Sequence, residues 1–241
     1  MTLTDRLLRP LLAADPARPV ITYYDDATGE RIELSGTTLA NWAAKTANLM
    51  RDECDVEPGA RVAALLPAHW QTLAVLLGAW WCGAEVVTDP SGADLVCCDR
   101  DNLDDALEAA AGAGVVAALS LDAFGAGLPG LPPGVVDYAT EVRLHGDVFA
   151  AEPTAGRSPA LDGLDVDEVL SRAGAAAAEA GLSSADRVLT TADWSVADGL
   201  VQLPLAVLAA GASLVQCRNA PADSGALDRR ATGERVTRRL P

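Results

Sequence analysis

Apolar residues in the first part of the chain recur in short, cleanly bounded blocks. Leu3, Leu7, Leu8, Leu11 and Leu12 fall at helical spacing among charged residues, which predicts an amphipathic helix over 3–13 that stops before Pro16 and Pro19. Two strand-like runs, 20–24 and 30–34, flank a DDATG turn in which Gly29 can take positive φ, a hairpin signal. From Thr37, read as an N-cap, Leu39, Trp42, Ala43, Leu49 and Met50 recur every three to four residues and predict a surface helix to about Glu53. A Pro58-Gly59 turn leads to a strand over 61–66. Residues 70–82 are apolar on nearly every side, so they predict a helix packed on several faces, capped by Gly83 and followed by a strand from Glu85.

The alternation continues with a strand over 94–98, a helix over 101–111 and a strand over 115–121, the pattern of a parallel sheet covered by helices. Gly/Pro-rich residues 125–134 and a loop-like stretch over 152–159 place a boundary near 155. Beyond it, Asp165 and Glu168 form an Asp-x-x-Glu start for a helix over 165–180. The segment DRVLTTADWSVADGLVQLPLAVLAAGASLVQC (186–217) then echoes ARVAALLPAHWQTLAVLLGAWWCGAEVV: Arg-Val, strand, Trp, apolar helix, Gly-Ala, strand. The expected fold is α/β, with two related layers of parallel sheet and helix. Residues 1–154 form a first subdomain, 155–220 a partial second one packed on it, and 221–241 a flexible tail. The tail is expected to be solvated because Arg229, Arg230, Arg235, Arg238 and Arg239 accompany only Asp228 and Glu234, with no wide apolar face.

Composition narrows the function. The chain has 241 residues, 50% hydrophobic, enough for a buried core, but only 4% aromatic, so Ala, Val and Leu must build that core around five large tryptophans. A net charge of -16 argues against nucleic acid. Neither a secretory leader pattern nor an apolar run suited to a membrane span occurs, and a cytoplasmic protein is expected. Cysteines 54, 82, 97, 98 and 217 show no CxxC spacing and read as buried thiols. His69 and His145 are the only histidines, which excludes a His-rich metal site, and His69 reads as the start of the apolar helix. Asp101, Asp104, Asp105 and Glu108 share one helical face and read as solvated.

The segment from Val20 to Pro90, which includes the PGARVAALLP strand, the apolar helix and the GAEVV strand in that order, resembles the start of an AMP-dependent synthetase. The resemblance to this adenylate-forming, acyl-CoA synthetase-like family covers 1–150 and 165–220. It implies a large domain of two related α/β subdomains, and a Ser/Thr/Gly-rich loop ending in Pro-Lys-Gly just before the helix over 165–180, where ATP phosphates would lie. RSPALDGLDVDEVL stands there instead, with only Ser158 and Gly163 as small candidates and with Asp162, Asp165, Asp167 and Glu168 opposing a triphosphate. The one lysine, Lys45, belongs to the early helix. The family's later adenine- and ribose-binding motifs, and its C-terminal domain with the catalytic lysine, have no counterpart. The chain therefore resembles a truncated homologue, and no cofactor is expected where the intact family uses ATP and AMP.

One segment keeps functional interest. In the family, the stretch between the DRVL-like strand and the next helix lines the acyl pocket, and here it reads TTADWSVADGL. Trp194 takes the aromatic place, flanked by Asp193, Ser195 and Asp198; a tryptophan packing between two layers explains it equally well. No catalytic residue and no metal ligand is assigned. The expected function is a catalytically degenerate scaffold acting as a binding or partner-interaction module. The alternatives are an AMP-forming acid ligase that needs a partner chain or an unconventional nucleotide loop, and a small acyl- or carboxylate-binding protein. Expected partners are a second copy or another protein, covering apolar surface left by the absent parts, and a small acyl or carboxylate ligand, with no nucleic acid and no membrane.

Overall fold

The computed structural model describes residues 1–241 except 112–113, 124, 153–155, 195–196 and 222–223. Thr2 and Asp5 exchange side-chain-to-backbone hydrogen bonds in a capping box that opens helix α1 (Leu3–Ala14). Strands β1 (Pro19–Asp25) and β2 (Glu30–Ser35) make the expected hairpin, with Gly29 at φ 78°. Helix α2 (Gly36–Glu53) is capped by Ser35, whose Oγ accepts the N–H of Thr38 at 3.1 Å. Thr37 is not the cap because its own hydroxyl donates to the carbonyl of Pro16 at 3.1 Å.

Next come β3 (Arg61–Leu65), α3 (Trp70–Cys82), β4 (Glu85–Val87), β5 (Leu95–Asp99), α4 (Leu103–Ala109), β6 (Val115–Leu119), β7 (Val136–Asp137) and α5 (Tyr138–Glu141). The remainder comprises β8 (Pro159–Leu161), β9 (Leu164–Asp165), α6 (Val166–Glu179), β10 (Arg187–Thr190), α7 (Ala197–Leu200), α8 (Ala206–Ala209), β11 (Ser213–Arg218), α9 (Ser224–Gly233) and β12 (Arg238–Arg239). Between α7 and α8 the helix widens to a π-turn over Val201–Leu205 that contains Pro204. Proline has no N–H to give and its ring collides with the carbonyl four residues back, so the wider turn relieves both problems.

Two sheets result, in the orders β12-β10-β11-β1-β2 and β7-β6-β5-β3-β4-β8-β9. The pairs β3/β4, β3/β5, β5/β6, β10/β11 and β1/β11 are all parallel. Sheet membership does not follow chain order. The N-terminal β1 pairs with β11, Ile21 opposite Leu214, while β8 from beyond the expected boundary pairs with β4, Val86 opposite Leu161. Residue 155 thus does not separate the sheets; each half of the chain lends a hairpin to the other's sheet. Helix α3 touches β1 on one side and β3 and β4 on the other, and every one of its residues except Trp81 is buried. Its tryptophans fasten the layers: Trp80 Nε1 donates to the carbonyl of Ala160 at 2.7 Å and Trp81 Nε1 to Asp5 at 3.2 Å.

The C-terminal residues correct a second expectation. In place of a flexible tail, α9 and β12 dock on the smaller sheet, β12 parallel to β10. Two of the arginines that suggested solvation find acids elsewhere in the chain: Arg230 grips Asp26 through two bonds of 2.8 and 2.6 Å, and Arg238 stands 3.6 Å from Asp186. Among the described residues, no helix is long and apolar enough to cross a membrane.

Candidate functional site

The region that the family resemblance assigns to ATP phosphates is a tight hairpin. Asp162 (φ 43°) and Gly163 (φ 80°) are the two turn residues between β8 and β9, both left-handed, as a type I′ turn requires. Their N–H groups are already engaged, Asp162 with the carbonyl of Val86 at 3.0 Å and Gly163 with the carboxylate of Glu85 at 2.6 Å. The Asp162 carboxylate accepts both the N–H and the hydroxyl of Thr88, each at 2.9 Å.

The first turn of α6, next in the chain, is equally closed. Val166 donates to Ser158, Asp167 to Gly156 and Glu168 to the side chain of Asp165, so these three N–H groups are taken internally. Lys45 donates to the carbonyl of His145 at 2.6 Å and pairs with Asp147 at 2.8 Å, holding the segment after α5 to α2. These residues do not fit a nucleotide triphosphate.

The acyl-pocket-like segment divides. Trp194 is 2% exposed and donates its indole N–H to Gln216 Oε1 at 2.7 Å. It stands between the sheets against Leu66, Leu76, Val86 and Leu200, where a void of only about 20 Å³ remains. Asp193 and Asp198 are exposed and line a different space, a cleft of about 710 Å³ between α6, the π-turn and the chain's last two residues. Asp193 also accepts the N–H of Trp194 at 2.7 Å. Ser195 lies outside the described residues. The structure therefore brings Asp193 and Asp198 to one cleft and turns Trp194 into the interior.

Spacing alone overlooked Arg172, Glu179 and Gln202, which share that cleft. Arg172 and Glu179 lie two helical turns apart on the polar face of α6, a signal that only the position of the next layer makes meaningful. Glu179, Asp193 and Asp198 against Arg172 leave the cleft acidic, which works against a carboxylate ligand.

The five cysteines are unpaired and buried. Burial raises the thiol of Cys97 well above its ordinary value and, with Asp99 adding to it, lifts that of Cys98 to about 12, so neither is a poised nucleophile. Among the described residues no His/Cys/Asp/Glu group is placed to hold a metal.

This architecture is that of the N-terminal domain of adenylate-forming enzymes. Aligned structures include an acyl-CoA synthetase of Brucella canis (TM-score 0.81, 20% identity, 99% of this chain and 47% of that one) and MatB of Rhodopseudomonas palustris without ligand (0.76, 19%, 99% and 49%). A benzoate CoA ligase of Burkholderia xenovorans aligns likewise (0.76, 18%, 99% and 50%). The chain spans about half the length of these aligned proteins. No protein-family model matches it. A Mycobacterium tuberculosis protein described as a TIGR03089 family protein is 56% identical over 242 residues, 99% of this chain and 98% of that protein. The chain belongs to the TIGR03089 family.

Proposed function

We propose that the chain is a catalytically degenerate relative of the adenylate-forming ligases that keeps their scaffold as a binding module. The observation that carries this reading is the Asp162-Gly163 turn: a two-residue hairpin with both N–H groups engaged and an acidic side chain at its tip leaves no nest for phosphate. The commitment of Lys45 to Asp147 and the acids in the first turn of α6 support it. A module of this kind uses its clefts and not a nucleotide.

Calorimetric titration with ATP, combined with ATP/pyrophosphate exchange over a panel of carboxylates, tests the reading. The expected result is no nucleotide heat and no exchange. Robust exchange by the purified chain would overturn it, and exchange that appears only with a second protein would favour a ligase assembled from two chains.

A further inference from the structure

The outer strands of the two sheets are unequal. β7, β9 and β12 have two residues each, too short to receive another strand. The fourth outer strand, β2, runs for six residues and pairs only with β1. Among the described residues no other segment bonds to the backbone of 31–34, so the N–H and C=O groups on its outer side form a template for a further strand.

The side chains of β2 decide which strand fits. Arg31 and Glu33 share one face, and Ile32 between them lies on the other. Arg31 gives its Nε–H to Tyr24 at 2.9 Å and Glu234 at 3.0 Å and its Nη2 to Glu33 at 3.1 Å, while Nη1 has no partner. Glu33 receives Thr22 at 2.9 Å and both Arg31 and Arg187 at 3.1 Å on Oε2 alone, so Oε1 has none either. The two side chains are 44% and 33% exposed. A free donor and a free acceptor thus stand two residues apart on one open edge.

A second β2, laid antiparallel across a two-fold axis, keeps both core faces on the same side only when residues of one face stand opposite each other. Centring the axis on Arg31 sets two guanidinium groups together, and centring it on Glu33 sets two carboxylates together. Centring it on Ile32 places Arg31 of each copy opposite Glu33 of the other, with Nη1 in reach of Oε1 at both places. The two Ile32 side chains, each half-buried against the core, then meet on the opposite face.

We propose that the chain forms a two-fold dimer through β2, antiparallel and centred on Ile32, which joins the two five-stranded sheets into one continuous sheet. The net charge of -16 on each copy opposes association at long range, but at about 0.15 M salt charges more than ~8 Å apart are largely screened and the short pairs decide. Such a dimer extends the reading of the chain as a binding module, and association is measured without nucleotide, so the two readings fail separately.

Light scattering and hydrogen exchange from low to high micromolar protein, at about 0.15 M salt, test the dimer. A monomer–dimer equilibrium is expected, and amides within 31–34 should exchange more slowly as the dimer fills. Ile32→Lys sets two ammonium groups together at the axis, leaves Arg31 and Glu33 in place, and should weaken dimerisation by about tenfold or more, with circular dichroism checking the fold. Cross-linking with oxidised glutathione reads the register, since the five native thiols are buried. Ile32→Cys stands opposite its copy and should close a disulfide, whereas Glu33→Cys is diagonal to its copy, at about 7–8 Å, and should not. A monomer at every concentration would overturn the dimer, as would equal association of the parent and a folded Ile32→Lys. Should that variant not fold, unchanged exchange at 31–34 in a dimeric parent would do the same. Equal cross-linking of the two cysteine variants would overturn the register.

Discussion

Gln216 on β11 holds Trp194 from behind: Oε1 of the glutamine accepts the indole N–H at 2.7 Å while its Nε2 donates to the carbonyl of Ala192 at 3.0 Å. The pair closes a buried polar loop between a strand of the smaller sheet and the segment that leads into α7, and it fixes the indole ring against the larger sheet. Trp194→Phe keeps most of the ring but leaves Oε1 of Gln216, on a residue 1% exposed, without its donor, and should cost about 1–3 kcal/mol. Trp194→Ala also opens a cavity between the layers and should cost about 3–5 kcal/mol. Urea unfolding of the three proteins checks the order. An alanine variant as stable as the parent would show that this tryptophan is not an interior packing piece.

Glu234 plays the corresponding part for the C-terminal segment. It accepts from the hydroxyl of Tyr24 at 2.5 Å, from Arg31 Nε at 3.0 Å and from Arg187 Nη2 at 2.5 Å, with its side chain 9% exposed. Burial opposes its ionisation, but the bonds from Tyr24, Arg187 and Arg31 outweigh burial and hold the carboxyl down to about 2. The folded value lies below the unfolded value of about 4.3, so this stabilisation is complete above that pH and is lost as pH falls through it towards 2. The parent should lose roughly 2–3 kcal/mol of stability across that interval, and Glu234→Gln should lack this part of the acid dependence. Denaturant midpoints at several pH values measure it. Parallel acid curves for parent and variant would show that the cluster contributes nothing.

The same cluster shows where sequence reading stops. Helix α3 was legible because residues 70–82 are apolar on nearly every side and are bounded by Pro67 and Gly83, signals that need no knowledge of the rest of the fold. The docking of α9 was not, because Arg230 and Glu234 answer to Asp26, Tyr24, Arg31 and Arg187, four residues distant in sequence. The exchange of hairpins between sheets was hidden for a like reason: the pattern of Val20–Tyr24 specifies a strand but not that Ile21 lies opposite Leu214. At the candidate site, the acidic residues around the 162–163 turn could be read from residue types alone. The division of Asp193 from Trp194 could not, since adjacent residues take opposite directions only once Gln216 is in place.

Gly78 marks the closest approach of α2 and α3. A Cβ added there would meet Cβ and Cγ2 of Thr46 at 2.9 Å and the backbone nitrogen of Ala47 at 3.1 Å. Alanine has the better helix propensity by about 1 kcal/mol, but backbone and a β-branched carbon cannot yield as a flexible side chain would. Thr46 is further held by bonds to the carbonyl of Trp42 at 2.8 Å and the hydroxyl of Tyr138 at 2.7 Å. Gly78→Ala should therefore destabilise by about 1–3 kcal/mol net, with a matching fall in thermal midpoint. A rise in midpoint would mean that the helices slide apart at little cost.

His69 separates a second pH window from that of Glu234. Burial, reinforced by the nearby positive charge of Arg218 and only partly offset by Asp25, depresses its pKa from 6.5 to about 3. The folded ring stays neutral where the unfolded one takes up a proton, so its contribution is complete above about 6.5 and declines as pH falls towards 3, by at most about 1.4 kcal/mol per pH unit. Glu30 acts in the opposite sense: its raised pKa means that the folded chain gains that proton earlier, which offsets part of the loss. Between pH 7 and 5 the parent should lose up to about 2 kcal/mol, His69→Asn should lose much less, and Glu30→Gln should make the decline steeper. Urea unfolding at the two pH values distinguishes the three. A His69→Asn curve as steep as the parent's would place the acid-sensitive group elsewhere.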